Sequence, residues 1–245
     1  MSIFQSVEKV LADRQSPIKV FFRNDDGGWA DKRLQQLTKE FIQQELPLDI
    51  AVIPDVLSEQ SADVISALLD AGSRVAIHQH GFSHKNHQLS GRACEFGTDR
   101  NSKQQKDDIE KGQNKLVAAF GSQVKPVFTP PWNRCTSETA VALQSLGFQY
   151  LSRIIGSAPI ESVMPELPVA IDWLKKRKGK RLNTAELIEY ISGLLNTDDE
   201  IIGVMLHHEH MDQENRILLS QFIESLRQSQ MVSFESMMDV VSQPL

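Results

Sequence analysis

Short apolar runs alternate along the chain with longer stretches in which apolar residues recur at the helical period. Each apolar run is long enough for a buried strand, and each amphipathic stretch is long enough for a helix that covers a sheet. The predicted strands span residues 19–24, 49–54, 74–80, 126–130, 148–152, 168–173, 201–207 and 231–234. The predicted helices span residues 31–45, 59–71, 103–119, 136–146, 183–194 and 213–229. This alternation predicts an α/β fold with mostly parallel strands.

One domain accounts for the whole chain. The 245 residues suit a single barrel-like core, and no repeat, low-complexity tract or flexible linker divides them. We expect a distorted (β/α) barrel of about seven mostly parallel strands. An amphipathic helix over residues 1–15 precedes the core at 19–210, and helices with one short strand follow over 213–245. Thr136 as a helix cap, with Gly72 and Gly147 as helix ends, supports these boundaries.

The charges of the chain are spread along its length. Its 26 basic and 32 acidic residues give a formal net charge of −6. Proteins that bind nucleic acid concentrate basic residues on one face, so we expect no nucleic-acid partner. The one basic cluster, at residues 175–181, is interpreted as a solvated loop.

No apolar run approaches the ~18 residues that span a bilayer, so we expect no membrane insertion. The oligomeric state stays open.

Two features predict a cytoplasmic location. Glu8, Lys9 and Asp13 stand where a secretory signal would need an unbroken apolar stretch. Cys94 and Cys135 are far apart in sequence and form no paired motif, so free thiols in a reducing compartment are the simplest interpretation.

Residues that can bind metals or protons follow several predicted strands. Asp25 and Asp26 follow the first strand, and Asp172 ends the sixth. All seven histidines fall in two short windows, 78–87 and 207–210, at the ends of the third and seventh strands. The carboxyl ends of parallel strands meet at one edge of a sheet. We therefore expect these side chains to converge on one site.

The pair Asp25 and Asp26 precedes two glycines. Adjacent carboxylates repel each other unless a cation or a proton relieves them, and the glycines allow a sharp turn close to a ligand. A simple Asp-Gly turn after a strand explains the same residues.

The two histidine clusters allow more specific chemistry. His80 and His84 can converge on one divalent ion, and two histidines with one aspartate leave open positions for catalysis. The alternative is a group of surface or hydrogen-bonded core histidines. His207 and His208 end an apolar strand, which suits general acid or base catalysis, although an unrelated surface cluster is an equal alternative.

Together these motifs resemble the polysaccharide deacetylase family, also called carbohydrate esterase family four. The motifs that carry the resemblance span about residues 19–210 and are Asp25-Asp26-Gly27, His80-Gly81-Phe82-Ser83-His84, Asp172-Trp173 and Leu206-His207. The segment 91–97 is similar to a Glu-Phe element of an atypical branch of that family.

The resemblance implies a role for each residue. It makes Asp25 the catalytic base and His207 the general acid, and we expect Asp172 to orient His207. It makes Asp26, His80 and His84 the ligands of one divalent metal ion, expected to be zinc, with cobalt, nickel and manganese as alternatives. The residues expected to bind substrate are Trp132, Pro131, Trp173 and His208. The two tryptophans could equally be ordinary core aromatics.

The chain also departs from the family pattern. The usual arginine of the third motif is missing or is replaced by Arg134 beyond the turn, and His208 stands where an aspartate commonly follows the catalytic histidine. Whether His78, His87 or Cys94 reaches the site stays open.

The substrate expected from this pattern is an intracellular N-acylated sugar or glycoconjugate. Secreted members of the family act on chitin or peptidoglycan, but this chain shows no export signal. One alternative is a hydrolase of another amide. The other is a catalytically silent, metal-containing protein that binds a glycan or a partner.

Overall fold

The computed structural model describes residues 2–162 and 164–242. Helices α1 to α8 span Gln5–Asp13, Asp31–Gln43, Glu59–Ala71, Ser102–Phe120, Ser137–Ser145, Thr184–Leu195, Gln213–Arg227 and Met237–Ser242. Strands β1 to β10 span Ile18–Gly27, Leu48–Val52, Val75–His80, Val124–Thr129, Tyr150–Leu151, Val169–Asp172, Lys176–Arg177, Lys180–Arg181, Ile201–His207 and Val232–Phe234. Short 3₁₀ turns span Gly121–Gln123, Pro131–Asn133 and His208–His210.

The large sheet confirms the predicted distorted (β/α) barrel. Its strand order is β5-β4-β3-β2-β1-β9-β6, and β10 pairs with the start of β1. All these pairings are parallel. Backbone hydrogen bonds join the two edges, from the N–H of Leu167 to the carbonyl of Leu151 (2.8 Å) and from Val169 to Arg153 (2.9 Å).

The two faces of the sheet have different roles because side chains alternate along a strand. Residues such as Val20 and Phe22 belong to the main core, where the sheet packs against the surrounding helices. Phe21, between them, belongs to a second cluster with Met205 inside the barrel. Gly203 lies opposite Phe21, and a Cβ atom there would come within 2.4 Å of the phenylalanine ring. The strand therefore needs glycine at this position.

The N-terminal helix and several boundaries agree with the sequence prediction. Helix α1 packs against α6 and α7. Thr136 caps α5 through a reciprocal pair of hydrogen bonds with Thr139. In the described part of the chain, no helix is long and apolar enough to cross a membrane.

Two differences from the prediction matter for the site. Strand β1 continues to Gly27, so both aspartates of the first motif belong to its end. The basic segment at residues 175–181, interpreted above as a solvated loop, forms the antiparallel hairpin β7–β8. Lys178 and Gly179 form its turn, and both have positive φ angles (50° and 78°), as a tight hairpin turn requires.

Candidate active site

A cleft of about 620 Å³ opens at the carboxyl ends of the parallel strands. Its lining residues are Asp25, Asp26, Trp29, His80, His84, Trp132, Asn133, Arg134, Asp172, Leu174, Lys175, Lys176, Arg181, His207, Glu209 and His210. The predicted base, metal ligands and general acid thus surround one cavity.

Asp26, His80 and His84 are arranged as a candidate metal site. Their ligand atoms all lie within 4.8 Å of one another. Asp26 Oδ1 is 3.3 Å from His80 Nε2 and 3.4 Å from His84 Nε2. This buried oxygen accepts no hydrogen bond from the described residues. The Nδ1 of His80 lies 3.0 Å from the Thr129 carbonyl, so it donates there and leaves Nε2 free to bind a metal. These residues therefore fit a divalent ion.

The protonation states of Asp26 and His84 also fit metal binding. Burial acts to raise the pKa of Asp26, but the neighbouring His80 lowers it well below its usual value. Burial acts to lower the pKa of His80, but Asp26 and the charge of Asp25 raise it. Burial and the charge of His80 lower the pKa of His84 to about 4. The carboxylate is ionised and His84 is neutral near pH 7, as ligands of a metal must be.

The loop that carries His84 is fastened by one buried carboxylate. Glu95 accepts hydrogen bonds from the backbone N–H groups of Phe82 (3.2 Å), Ser83 (2.7 Å) and His84 (3.3 Å), and from the Ser83 hydroxyl (2.9 Å). A Cβ atom at Gly81 would come within 2.3 Å of this carboxylate, so the loop needs glycine there. The sequence analysis noted the resemblance of segment 91–97 to a family element but predicted no role for Glu95.

The predicted base Asp25 is held by an arginine that the sequence analysis missed. The fully buried Arg23 donates two hydrogen bonds to Asp25, from Nε to Oδ1 (2.8 Å) and from Nη2 to Oδ2 (2.8 Å). It also donates to the Ser152 hydroxyl (2.8 Å) and to Asn133 Oδ1 (2.9 Å). Arg134, the candidate from beyond the turn, instead donates to a backbone carbonyl (2.7 Å).

The charge of Arg23 decides the state of Asp25. Burial acts to raise the pKa of Asp25, but Arg23, His80 and His207 lower it below its usual value. The carboxylate of the predicted base is therefore ionised at neutral pH. Arg23 could have been found from the sequence, because residues two apart in a strand lie on the same face.

His207 and Asp172 complete the set around the cleft. His207 Nε2 lies 4.0 Å from Asp25 Oδ2, and its side chain is one-quarter exposed. Burial raises the pKa of Asp172, and the nearby charge of His207 opposes that rise. Asp172 Oδ1 accepts a hydrogen bond from the N–H of Leu174 (3.1 Å).

Three of the four predicted substrate-binding residues do not line the cleft. Trp173 is buried in the main core, where its ring lies 5.6 Å from that of Phe222. Pro131 is buried beside Gly81. His208 is also buried, because its ring bonds to the side chain of Asn24 (3.0 Å) and to the Trp29 carbonyl (2.8 Å). All three are buried in these contacts, and their part in substrate binding stays a prediction.

Two aromatic rings do flank the metal trio. The ring of Trp132 lies 4.5 Å from that of His84, and the ring of Trp29 lies 5.0 Å from it. Trp29, which the sequence analysis did not single out, thus forms part of the cleft wall. His78 lies below the site with its Nε2 2.9 Å from the Thr129 hydroxyl, and Cys94 contacts a backbone carbonyl outside the trio.

The fold and site define a parallel barrel with a candidate metal centre at the carboxyl ends of its strands. Residues 8–151 match the family model described as polysaccharide deacetylase, which is more than half of the chain. The chain therefore belongs to the polysaccharide deacetylase family. No curated protein shows significant sequence similarity to it.

Solved structures with the same fold share little sequence with this chain. A Mycobacterium smegmatis protein assigned as a polysaccharide deacetylase has a TM-score of 0.69 at 17% identity, over 94% of this chain and 91% of the other. A family 4 acetyl xylan esterase from Clostridium thermocellum, in complex with a cobalt ion, has a TM-score of 0.62 at 14% identity, over 91% and 90%. The chitin deacetylase of Colletotrichum lindemuthianum has a TM-score of 0.60 at 15% identity, over 91% and 85%. A family 4 pseudoenzyme from Bacillus anthracis also matches, at a TM-score of 0.58 and 13% identity, over 91% and 63%.

Proposed function

We propose that this chain is a metal-dependent hydrolase that removes an N-acetyl or related acyl group from a sugar or glycoconjugate. One observation carries the proposal. Three metal-ligand side chains, Asp26, His80 and His84, share a cleft with an ionised aspartate and a histidine suited to proton transfer. A divalent ion, with zinc as the first candidate, would be held by these three ligands.

The side chains around the ion have separate roles in the proposed reaction. A bound divalent ion would supply a Lewis acid that polarises an acyl carbonyl and lowers the pKa of water. Asp25 accepts the proton of the attacking water, and Arg23 holds its carboxylate towards the cleft through two hydrogen bonds. His207, on the neighbouring strand, donates a proton to the departing amine. Asp172 lines the same cleft and orients His207.

The walls of the cleft suit a sugar ring. Trp132 and Trp29 flank His84 and offer apolar surfaces next to the metal trio. Two of the similar structures are a chitin deacetylase and an acetyl xylan esterase, which favours acetylated carbohydrate as the substrate class.

Metal content and acetate release test the proposal together. Wild-type protein and the variants His80→Ala, Asp25→Asn and His207→Ala are measured by elemental analysis and on a panel of N-acetylated sugars. His87→Ala is the matched control, because His87 lies outside the trio. We expect near-stoichiometric metal in all proteins except His80→Ala, and acetate release only from wild type and the control. A protein that binds no metal even after supplementation contradicts the proposal.

The second candidate is a metal-containing protein without catalysis. The pseudoenzyme among the similar structures is the observation that favours it. It predicts stoichiometric metal with no release of acetate or formate from any N-acylated sugar. An amide hydrolase of other specificity would instead release its acyl group from only part of the panel.

A further inference from the structure

A basic hairpin stands at one wall of the proposed active site. Residues 175–181 contain six lysines and arginines with no acidic residue among them, and strands β7 and β8 are exposed. Lys175, Lys176 and Arg181 from this hairpin line the cleft together with the proposed catalytic residues. Arg134, from the loop after β4, lines the same cleft.

The hairpin is held in place rather than free in solvent. The N–H of Leu182 donates to the carbonyl of Lys175 (2.9 Å), which closes the base of the hairpin. Trp173 and Leu174, just before it, pack in or against the main core. Arg181 donates to the carbonyl of His210 (3.2 Å), on the turn after β9. The hairpin backbone therefore keeps a fixed position beside the cleft.

These basic side chains are only partly neutralised by the protein, since the charge of Lys175 acts on nearby Asp172. Within residues 2–162 and 164–242, no ion pair joins the hairpin or Arg134 to an acidic side chain. Lys175 Nζ lies 5.6 Å above the ring of Tyr190, and burial together with the charge of Arg92 lowers the pKa of Arg134. Unpaired like charges that face one cavity favour an anion between them.

The acidic residues of the cleft do not cancel this charge. Asp25 is paired with Arg23, and Asp26 is a ligand of the proposed metal ion. Two acidic residues, Asp172 and Glu209, remain to oppose four basic side chains. Three of these belong to the hairpin and the fourth is Arg134. This local excess of positive charge occurs in a chain whose formal net charge is −6.

We propose that the hairpin of residues 175–181 and Arg134 bind an anionic group, a phosphate or a carboxylate, on the acylated sugar that enters the cleft. The inference deepens the proposed function and rests on it for the identity of the sugar. Guanidinium and ammonium groups recognise phosphate and carboxylate through charge-assisted hydrogen bonds. A neutral acetylated glycan would leave these charges without a partner.

Equilibrium binding tests the inference without relying on turnover. Calorimetry on the zinc-loaded Asp25→Asn protein compares the binding of three sugars. N-acetylglucosamine is neutral, N-acetylglucosamine 1-phosphate carries a phosphate, and N-acetylmuramic acid carries a carboxylate. We expect at least one anionic probe to bind about tenfold or more tightly than the neutral sugar, and this preference to fall as salt is raised from about 0.05 to about 0.5 M. The anionic probe that binds more tightly shows whether the site recognises a phosphate or a carboxylate.

A pair of charge-matched variants locates the site. Lys176→Gln with Arg181→Gln removes two charges from the hairpin, and Lys106→Gln with Lys111→Gln removes two from the exposed face of α4, outside the cleft. The hairpin variant should lose about 3- to 10-fold in affinity for the anionic probe per charge removed, and the control should lose none. A phosphate that merely binds the metal ion would be held equally by both variants.

The outcomes separate this inference from the proposed function. Equal affinity for all three probes, no detectable binding of either anionic probe, or an unchanged affinity in the hairpin variant overturns the anion site. A clear anionic preference that depends on the hairpin, without acetate release by wild type from any probe, supports the anion site and contradicts the deacetylase. Acetate release without that preference supports the deacetylase and contradicts the anion site.

Discussion

Arg23 and Asp25 should behave as one energetic unit, which a double-mutant cycle can measure. The perturbations are Arg23→Met, Asp25→Asn and the double variant. Both side chains are almost completely buried, with exposures of 0% and 2%, and they share two hydrogen bonds of 2.8 Å. Arg23→Met leaves a buried carboxylate without its donors, whereas the double variant leaves no charge behind.

The structure sets the size of the expected coupling. Removing one partner of a buried ion pair costs about 3–5 kcal/mol, because an uncompensated charge stays in the interior. Replacing both partners removes that penalty, and the bonds from Arg23 to Ser152, Asn133 and the Met205 sulfur are then lost in addition. The double variant should therefore be more stable than the sum of the single effects by about 3 kcal/mol.

Urea unfolding followed by circular dichroism is the assay, carried out with a chelator so that metal binding does not add to stability. The chain offers a matched control in Arg216 and Glu40, a pair joined at 3.0 Å near the surface, where Glu40 is 40% exposed. Its coupling should stay below about 1 kcal/mol.

The refuting result is additivity at the buried pair. If the two single effects sum to that of the double variant within about 0.5 kcal/mol, Arg23 and Asp25 do not form a coupled buried ion pair. A coupling equal to that of Arg216 and Glu40 would lead to the same conclusion.

Two further predictions concern residues outside the proposed chemistry. Glu95→Gln should weaken metal binding about 10- to 100-fold, because it loosens the loop of His84, and a titration of zinc into metal-free protein measures this. Burial raises the pKa of Asp49 to about 7, well above its value of about 3.9 in the unfolded chain. The stabilising effect of a protonated Asp49 is complete below pH ~4 and is lost as pH rises through ~7. Asp49→Asn, which cannot ionise, should therefore be more stable than wild type at pH 8 by up to about 4 kcal/mol, and equal to it near pH 4.

Exposed residues of the same type provide the controls for both predictions. Glu110→Gln on α4 should leave zinc affinity unchanged, and Asp55→Asn should leave the pH dependence of stability unchanged. An equal loss of zinc affinity in both glutamate variants would remove the role of Glu95. Parallel stability curves for wild type and Asp49→Asn between pH 4 and pH 8 would contradict the burial argument.

Strand periodicity made the fold and most of the site predictable. Apolar runs separated by amphipathic helices predict the barrel, and the rule that ligands gather at strand ends brings the aspartates and histidines together. The same alternation of side chains also explains why two pairs of sequence neighbours point to opposite sides of the sheet. Asp172 and His207 line the cleft, so Trp173 and His208, each one residue later, point the other way into buried positions.

Contacts between distant segments were not predictable in the same way. Glu95 lies more than ten residues after the loop that it fastens, and its role depends on the path of a long irregular segment. The hairpin at residues 175–181 shows no apolar alternation that would indicate strands. Its position at the cleft depends on the packing of Trp173 and Leu174 just before it.

Backbone conformation explains the positions of site residues that do not follow the alternation of side chains along a strand. Among the described residues, seven other than glycine have positive φ angles, and four of these line the cleft, namely Asp26 (69°), His84 (55°), Trp132 (55°) and Asn133 (58°). In a regular strand Asp25 and Asp26 would point to opposite faces, but the left-handed turn at Asp26 brings both carboxylates to one cavity. Each such conformation costs about 1–2 kcal/mol in a residue with a Cβ atom, so it persists only where the surrounding contacts enforce it. Strain of this kind is concentrated where neighbouring residues must serve one site, and it is set by tertiary contacts rather than by the local pattern of the sequence.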